Sequence, residues 1–304
     1  MKRTNWIADK IPQLDDEGFL EVMDAMTERA VDTKKKPKDN LVHIAELSEE
    51  IERASLTWGK PSGISTGYSE LDKAIGGLNK GHVILIGGET SNGKSALASN
   101  IACNVAKEKN GGKGVLFITL EMLQEEIGAR LRFINGGSID DLNIMFQENY
   151  RIDWTDLEPI MIKAKQHGEV ELVVLDYMQY LGRGMTLQEV AKMSKEFKSL
   201  ALKYEVPFII IVSLRKSEQG VNKRKWTMIE IEDFMGTGAI GYDCDIGLIT
   251  SRKDEENEYQ KDKLFVKILK TRTTALDYDN RILEFDWNQT KITELWHPRI
   301  KATK

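Results

Sequence analysis

One short segment constrains the fold of this chain more than any other. The residues Gly88-Glu89-Thr90-Ser91-Asn92-Gly93-Lys94-Ser95 fit the pattern G-x-x-x-x-G-K-[ST]. They follow an apolar run, Val83–Gly87, which predicts a strand, and they precede a helical pattern from Ser95 to Lys109. A strand, a glycine-rich turn and a helix in this order are typical of a phosphate-binding loop, or P-loop, so the sequence predicts a nucleotide site.

The residue types of this loop suit ATP and Mg²⁺. The glycines let the backbone amides approach a phosphate closely, Lys94 neutralises the β- and γ-phosphates, and the Ser95 hydroxyl completes the Mg²⁺ shell. The predicted nucleotide-binding residues are Gly88, Glu89, Thr90, Ser91, Asn92, Gly93, Lys94, Ser95 and Ala96.

Two further apolar runs end in an acidic residue. Leu172–Leu175 is followed by Asp176, which we predict to be a second ligand of the Mg²⁺ ion. Val115–Leu120 is followed by Glu121, whose carboxylate can orient and deprotonate the attacking water. Parallel strands deliver such acids to one edge of a sheet, beside the P-loop.

Strand-like and helix-like segments alternate along most of the chain. This predicts an α/β fold in which a mainly parallel sheet carries helices on both faces. Capping boxes are expected at Thr155-x-x-Glu158 and Thr186-x-x-Glu189. The candidate strands are Val83–Gly87, Val115–Leu120, Leu172–Asp176 and Pro207–Ser213, with later strands near Ile246–Thr250, Leu264–Leu269 and Arg281–Phe285. The candidate helices are Ser95–Lys109, Gln124–Asn135, Asp156–His167 and Leu187–Tyr204.

Residues 1–60 differ from the rest of the chain. Two amphipathic helical patterns, Phe19–Ala30 and Leu41–Ala54, are separated by a charged stretch that contains Pro37. Neither helix can bury its apolar face alone. We therefore expect residues 1–60 to be a helical arm that packs on a neighbouring subunit, and residues 61–304 to be the main domain.

Composition excludes several classes of protein. No apolar run approaches the roughly 20 residues that cross a bilayer, and the sequence predicts a soluble protein of the cytoplasm without a membrane partner. The two cysteines form no C-x-x-C pair, and the four histidines have no metal-ligand spacing, so no structural zinc is expected. The net charge of −5 leaves nucleic-acid binding open, because affinity for phosphates depends on where Lys and Arg lie.

Several motifs resemble a known family. The segment Gly63–Asp72, followed by Gly76-Gly77-Leu78, resembles the leading segment of RecA-type ATPases. The stretches Thr119–Met122 and Asp176–Leu181 are similar to motifs of DnaB-type replicative DNA helicases. By the order of its motifs the resemblance covers roughly residues 40–286, and residues 15–56 are similar to the tail and linker helix of that family.

The resemblance implies a RecA-like motor that hydrolyses ATP between the subunits of a homo-hexamer while moving on single-stranded DNA. It further implies a bacterial or phage source, and a primase and a helicase loader as partners. The pair Lys270-Thr271-Arg272 is similar to the residues that this family extends into the neighbouring active site, where an arginine stabilises charge on the γ-phosphate. The family's N-terminal helical domain has no counterpart here, so we expect a shortened chain or a naturally short member.

Two motifs depart from the family. Its phosphate-sensing Ser-Gln reads Ser213-Leu214 here, and leucine cannot bond a phosphate. Its DNA-contacting Arg-Glu-Ser-Gly reads Met235-Gly236-Thr237-Gly238, so the arginine charge is missing and only glycine amides remain. We predict that nearby basic residues compensate. The predicted DNA-binding residues are Arg183, Lys216, Lys223, Arg224, Lys225, Gly236 and Gly238.

Two other functions remain open at this point. A RecA-type recombination or repair ATPase that binds single-stranded DNA fits the leading segment and the P-loop equally well. A nucleotide-dependent assembly protein with decayed hydrolysis is suggested by the missing glutamine. The stretch Asp176-Tyr177-Met178-Gln179 and the position of Lys270-x-Arg272 favour the helicase.

Overall fold

The computed structural model describes residues 43–49, 51–52, 61–107, 111–148, 152–176, 178, 186–214, 225–234, 238–272, 281–288, 290–294 and 301–302. The chain divides into two compact units, Met1–Leu56 and Thr57–Lys304. In the first unit a 3₁₀ helix spans Ile44–Leu47, and the Nδ1 of His43 accepts a hydrogen bond from the Ala45 amide at 3.3 Å. The predicted helix Phe19–Ala30 lies outside the described residues.

The second unit is built on one sheet. Its strands are β1 Val83–Gly87, β2 Val115–Thr119, β3 Ile144–Glu148, β4 Leu172–Asp176, β5 Phe208–Ile211, β6 Ile246–Ser251, β7 Lys263–Thr271, β8 Arg281–Asn288, β9 Lys291–Glu294 and β10 Lys301–Ala302. Their order is β10-β8-β7-β6-β1-β5-β4-β2-β3, and β9 pairs with β8. The pairs from β6 through β3 are parallel, and those of β7 to β10 are antiparallel.

Helices cover both faces of this sheet. They are α1 Ser69–Ile75, α2 Lys94–Ala106, α3 Gln124–Ile134, α4 Leu157–His167, α5 Leu187–Tyr204 and α6 Gly238–Asp243. The apolar residues of α1, α2 and α3 form one buried cluster with the sheet, and those of α4, α5 and α6 form another on the opposite face. The predicted α/β fold is confirmed. No helix of the described segments is long and apolar enough to span a membrane.

Several boundaries agree with the sequence and several do not. Strands β1 and β4 have the predicted bounds, and the Thr186 capping box is confirmed, because the Thr186 amide donates to the Glu189 carboxylate at 2.7 Å. The box at Thr155 is wrong. Asp153 starts a 3₁₀ turn there instead, and its amide donates to the Asp156 carboxylate at 2.7 Å, so α4 begins only at Leu157.

The sequence also missed β3, the strand at one edge of the sheet. Its residues Ile144–Phe146 are only half-buried, and Gln147 and Glu148 follow them. A half-exposed edge strand does not need a continuous apolar run, so its composition resembles that of a loop.

Candidate nucleotide-binding site

The P-loop adopts the conformation that its glycines predict. It runs from the end of β1 into α2, and Gly93 is the N-cap with φ 87°. A Cβ atom on Gly88, whose φ is 152°, would lie 2.7 Å from the Thr250 carbonyl oxygen. A Cβ on Gly93 would lie 2.6 Å from the Leu264 side chain. Both positions require glycine, so the loop is packed closely against β6 and β7.

The start of α2 points free amides at the loop. The first amides of a helix have no partner within the helix, and together with the helix dipole they attract an anion. Lys94 is the first residue of α2, and its Nζ donates to the carbonyl oxygens of Gly88 at 3.0 Å and Glu89 at 2.8 Å. The ammonium group therefore lies over the loop, where it would neutralise the negative charge of a bound phosphate.

Burial lowers the pKa of Lys94, while the carboxylates of Asp176, Glu121 and Glu89 act in the opposite direction. These carboxylates are close enough to influence the lysine, so the loop, its lysine and both predicted acids form one electrostatic unit. A bound triphosphate would add negative charge and favour the charged lysine further.

Asp176 is a buried carboxylate with one unused oxygen. It ends β4, level with Thr119 on β2, and its side chain is almost completely buried. Burial raises the pKa of Asp176 to about 6, and a hydrogen bond with the Ser95 side chain opposes this. Its Oδ1 is buried without a hydrogen-bond partner among the described residues.

This donor set fits Mg²⁺. The ion prefers oxygen ligands and is commonly held by one or two carboxylates together with substrate phosphates and water. Ser95 and Asp176 lie together beside the P-loop and supply a hydroxyl and an unpartnered carboxylate oxygen. Within the described segments no group of three or more His, Cys, Asp or Glu residues could form a protein-only metal site. One hydroxyl and one carboxylate oxygen leave the other ligand positions of Mg²⁺ to nucleotide phosphates and water, so these two residues suit a metal that arrives with a nucleotide.

Glu121 lies at the same carboxyl ends of the parallel strands and is exposed to solvent. It directly follows Leu120 at the end of β2, its side chain is exposed, and it influences the pKa of both Lys94 and Asp176. The turn is held by the Thr119 hydroxyl, which donates to the Met122 carbonyl oxygen at 2.6 Å. An exposed carboxylate beside the loop can reach a water molecule, as a general base must.

Replacing Asp176 by asparagine is expected to stabilise the nucleotide-free protein at pH 7. The pKa of the carboxyl is 3.8 ordinarily and about 6 in the folded protein, so the unfolded chain releases its proton first as the pH rises. The free energy of unfolding therefore falls as the pH rises from 3.8 to about 6. Ionisation of Asp176 destabilises the folded protein by on the order of 2–3 kcal/mol at pH 7. Thermal unfolding should show a higher Tm for Asp176→Asn at pH 7 and little difference near pH 4. An equal gain at both pH values would show that ionisation is not the cause.

Residues that the sequence did not single out hold the outer side of the loop. The Arg252 amide donates to Asn92 Oδ1 at 3.2 Å, and the Arg252 guanidinium lies over the Trp287 ring, 4.4 Å from its centroid. Lys253 pairs with Glu89 at 3.4 Å. The polar run Thr250–Lys253 at the end of an apolar strand was a usable signal, but the sequence does not reveal that β6 lies beside β1.

Arg130 is a second residue that the sequence did not single out. It lies on α3, which follows Glu121, and its charge lowers the pKa of Asp176. An arginine on the helix directly after a candidate catalytic acid was the available signal.

Leu214 occupies the position of the missing glutamine. Strand β5 pairs with β1 on one side and β4 on the other, so the residues after it emerge between the P-loop and Asp176. Leu214 is half-buried and forms a β-bridge with Phe234. Its apolar side chain contributes packing at this point and no hydrogen bond.

Lys270 and Arg272 lie near the amino ends of the parallel strands, whereas the P-loop lies at their carboxyl ends. Thr271 is level with Ile246, and Ile246 is level with Ile84 near the start of β1. Four residues of strand, roughly 13 Å, separate this level from the P-loop. The Arg272 amide donates to the Asp245 carbonyl oxygen at 3.1 Å, and its Nη1 lies 3.5 Å from the Asp245 carboxylate. These residues therefore do not join the P-loop of their own chain.

The predicted DNA-binding residues are only partly described. Arg183, Lys216, Lys223, Arg224 and Gly236 lie outside the described residues. Lys225 lies 3.5 Å from the Glu256 carboxylate, and Gly238 begins α6. The neighbouring Trp226 is buried, and its Nε1 donates to the Asp254 carbonyl oxygen at 2.8 Å.

Comparison with known proteins extends the likeness over most of the chain. The family model for the DnaB-like helicase C terminal domain matches residues 63–137 and 132–294. The replicative DNA helicase DnaB of Geobacillus stearothermophilus is 28% identical over 291 residues, which cover 86% of this chain and 62% of that protein. The chain thus spans less than two thirds of the length of this relative.

Two solved structures share the fold. One is described as an ATPase domain and has a TM-score of 0.70 and 20% identity, with 84% of this chain and all of that chain covered. A DnaB-like replicative helicase, described with its interactions with primase, also has a TM-score of 0.70, at 21% identity, with 90% of this chain and 71% of that chain covered. At these identities the likeness concerns the fold.

Proposed function

The chain belongs to the family of the DnaB-like helicase C-terminal domain, and we propose that it is the ATPase motor of a replicative DNA helicase. In this proposal it hydrolyses ATP at the interfaces of a homo-hexamer and so moves on single-stranded DNA to unwind a duplex. The observation that carries the proposal is the separation of the P-loop from Lys270 and Arg272. The P-loop lies at the carboxyl ends of the parallel strands, and the two basic residues lie near the amino ends.

This separation has a direct consequence for assembly. A ring places one edge of each subunit against the other edge of the next, because its interfaces are head-to-tail. The half-exposed side chain of Arg272 can then reach the γ-phosphate of a neighbouring subunit, with Lys270 beside it. Arg272 does not reach the P-loop of its own chain, so in this proposal the complete site needs two copies.

Within one subunit, each residue has a distinct task. Lys94 and the amides of Gly88–Ser95 hold the phosphates, and Glu121 removes a proton from the attacking water. Ser95 and Asp176 would hold Mg²⁺, which neutralises charge on the β- and γ-phosphates when it is bound. The raised pKa of Asp176 supports this role, because a cation would compensate the buried carboxylate.

DNA binding in this proposal depends on loops that face the centre of the ring. The residues proposed to contact DNA are Lys225 and Gly238, together with Arg183, Lys216, Lys223, Arg224 and Gly236. Repeated around a ring, such loops form a positive path for a phosphate backbone in spite of the acidic total. A primase and a helicase loader are the further proposed partners. A DnaB-like relative has been described with a primase.

The proposal is tested by measuring ATP turnover with and without single-stranded DNA, with particle mass measured in the presence of nucleotide. We expect turnover that DNA stimulates, and particles of six chains. A turnover rate that ignores DNA would contradict the helicase. Filaments on DNA would instead support a recombination ATPase, and nucleotide binding without turnover would support an assembly protein.

A further inference from the structure

The P-loop carries a carboxylate close to the position of its lysine. Glu89 is the second residue of the loop and directly follows Gly88. Burial lowers the pKa of Lys94 and the charge of Glu89 acts in the opposite direction, so this carboxylate lies within electrostatic reach of the lysine. A negative charge at that range also repels a bound phosphate, and the repulsion is stronger in a partly buried site than in water. A cation that offsets Glu89 would therefore favour the binding of a triphosphate.

Lys253 supplies such a cation. Its Nζ lies 3.4 Å from the Glu89 carboxylate, and the two side chains are 30% and 35% exposed. Lys253 belongs to the turn after β6, so the charge of the loop is offset by a residue that the loop itself does not contain. Water and salt screen a fully exposed ion pair, whereas a half-buried pair keeps more of its attraction.

The turn that carries Lys253 is held by its own hydrogen bonds. The buried Ser251 hydroxyl donates to the Lys253 carbonyl oxygen at 3.1 Å and accepts a hydrogen bond from the Lys253 amide at 2.9 Å. Lys253 also forms a β-bridge with Tyr259. Because its backbone is held in this way, the lysine meets Glu89 from a fixed base, as a residue that positions a charge requires.

Glu89 also has a structural use within the loop. The Nδ2 of the buried Asn92 donates to the Glu89 carboxylate at 3.2 Å, and the Asn92 Oδ1 accepts a hydrogen bond from the Arg252 amide at 3.2 Å. Ser91, next to Asn92, has a φ of 64°, which is unfavourable for a residue other than glycine. Such a backbone conformation persists only where its surroundings hold it. The carboxylate thus helps to hold the loop, and its charge is the cost that Lys253 offsets.

We infer that Lys253 is a positioning residue of the nucleotide site, whose ammonium offsets the Glu89 carboxylate so that the loop accepts a triphosphate. The inference rests on the proposed function in one respect, because it takes the P-loop to be the ATP site. Lys253 acts through Glu89, so its effect on ATP binding should vanish when residue 89 carries no charge. A lysine that bound a phosphate directly would keep its effect in that background.

The test compares the ATP affinities of the parent, Lys253→Met, and Lys253→Met combined with Glu89→Gln, all in the full chain with Mg²⁺. Affinity is measured by displacement of a labelled ATP analogue. We expect Lys253→Met to bind ATP about 3- to 10-fold more weakly, because the carboxylate is then uncompensated, and this loss should shrink at high salt. In the double variant the affinity should return to within about twofold of the parent, since glutamine can still accept from Asn92 without carrying a charge.

Two further variants serve as controls. Lys253→Arg keeps the positive charge and should bind ATP as the parent does. Lys113→Met breaks an ion pair with Glu171 whose side chains have a similar exposure, 36% and 32%, and should leave the affinity unchanged. Thermal unfolding of each variant shows whether it is folded.

The outcomes separate the inference from the proposed function. A parent protein that does not bind ATP would overturn both. A parent that binds ATP, with an unchanged affinity in Lys253→Met, would overturn only the role of Lys253. A double variant as weak as Lys253→Met would also overturn that role, because the lysine would then act on the nucleotide directly or through the structure of the turn. If Lys253→Met does not fold, Lys253→Gln replaces it, alone and with Glu89→Gln, and the same results decide.

Discussion

Replacing Arg272 by alanine is expected to lower the DNA-stimulated ATP turnover of the assembled protein by roughly 10³–10⁵-fold. The guanidinium would stabilise charge that develops on the γ-phosphate in the neighbouring site, and alanine removes it completely. Binding of ATP should change little, because the P-loop of the same chain lies at the other edge of the sheet. Lysine at this position should restore only part of the rate, since it lacks the planar fork of donors.

The measurement is steady-state turnover, with nucleotide binding followed in parallel by fluorescence of a labelled ATP analogue. Arg132→Ala is a matched control, because this arginine on α3 is exposed and its Nε donates to the Gly137 carbonyl oxygen at 2.7 Å. The control should retain nearly full turnover. Turnover of Arg272→Ala within about threefold of the parent would rule out the intersubunit role of the arginine.

Replacing Lys94 by alanine is the second change with a large expected effect. The Lys94 ammonium lies over the loop at 3.0 Å from the Gly88 carbonyl oxygen, where it would meet the β- and γ-phosphates. Its loss should lower turnover by at least roughly 10²–10³-fold, as removal of one preorganised charge stabiliser does in other enzymes. Unlike Arg272→Ala, this variant should also bind ATP more weakly.

Turnover and binding of the labelled analogue again provide the measurement. Lys107→Ala is a suitable control, since Lys107 follows the last residue of the same helix. Normal ATP binding by Lys94→Ala would contradict the position assigned to the triphosphate. Normal turnover would contradict the assignment of the active site itself.

The sequence predicted the parts of the site that depend on local patterns. The P-loop follows from glycines with positive φ between a strand and a helix, and Asp176 and Glu121 follow from apolar runs that end in an acid. These features are local because one strand end and one turn determine them. The registers of β2 with β4 then bring the acids to one edge.

Other parts depend on the order of the strands, which no local pattern contains. Arg252 borders the P-loop only because β6 lies beside β1, and Arg272 lies at the far edge only because β7 runs antiparallel to β6. The cap at Asp153 was missed because two adjacent sites competed and the sequence alone did not rank them.

The central claim is that one active site is divided between two subunits, and mixing two inactive variants tests it most directly. Lys94→Ala lacks a functional P-loop, and Arg272→Ala lacks the arginine that serves the neighbour. Random assembly of equal amounts should place an intact P-loop against an intact Arg272 at about a quarter of the interfaces of a head-to-tail ring. We therefore expect the mixture to recover DNA-stimulated turnover that neither variant shows alone. A mixture as inactive as its components, with mixed rings verified by mass, would contradict the account.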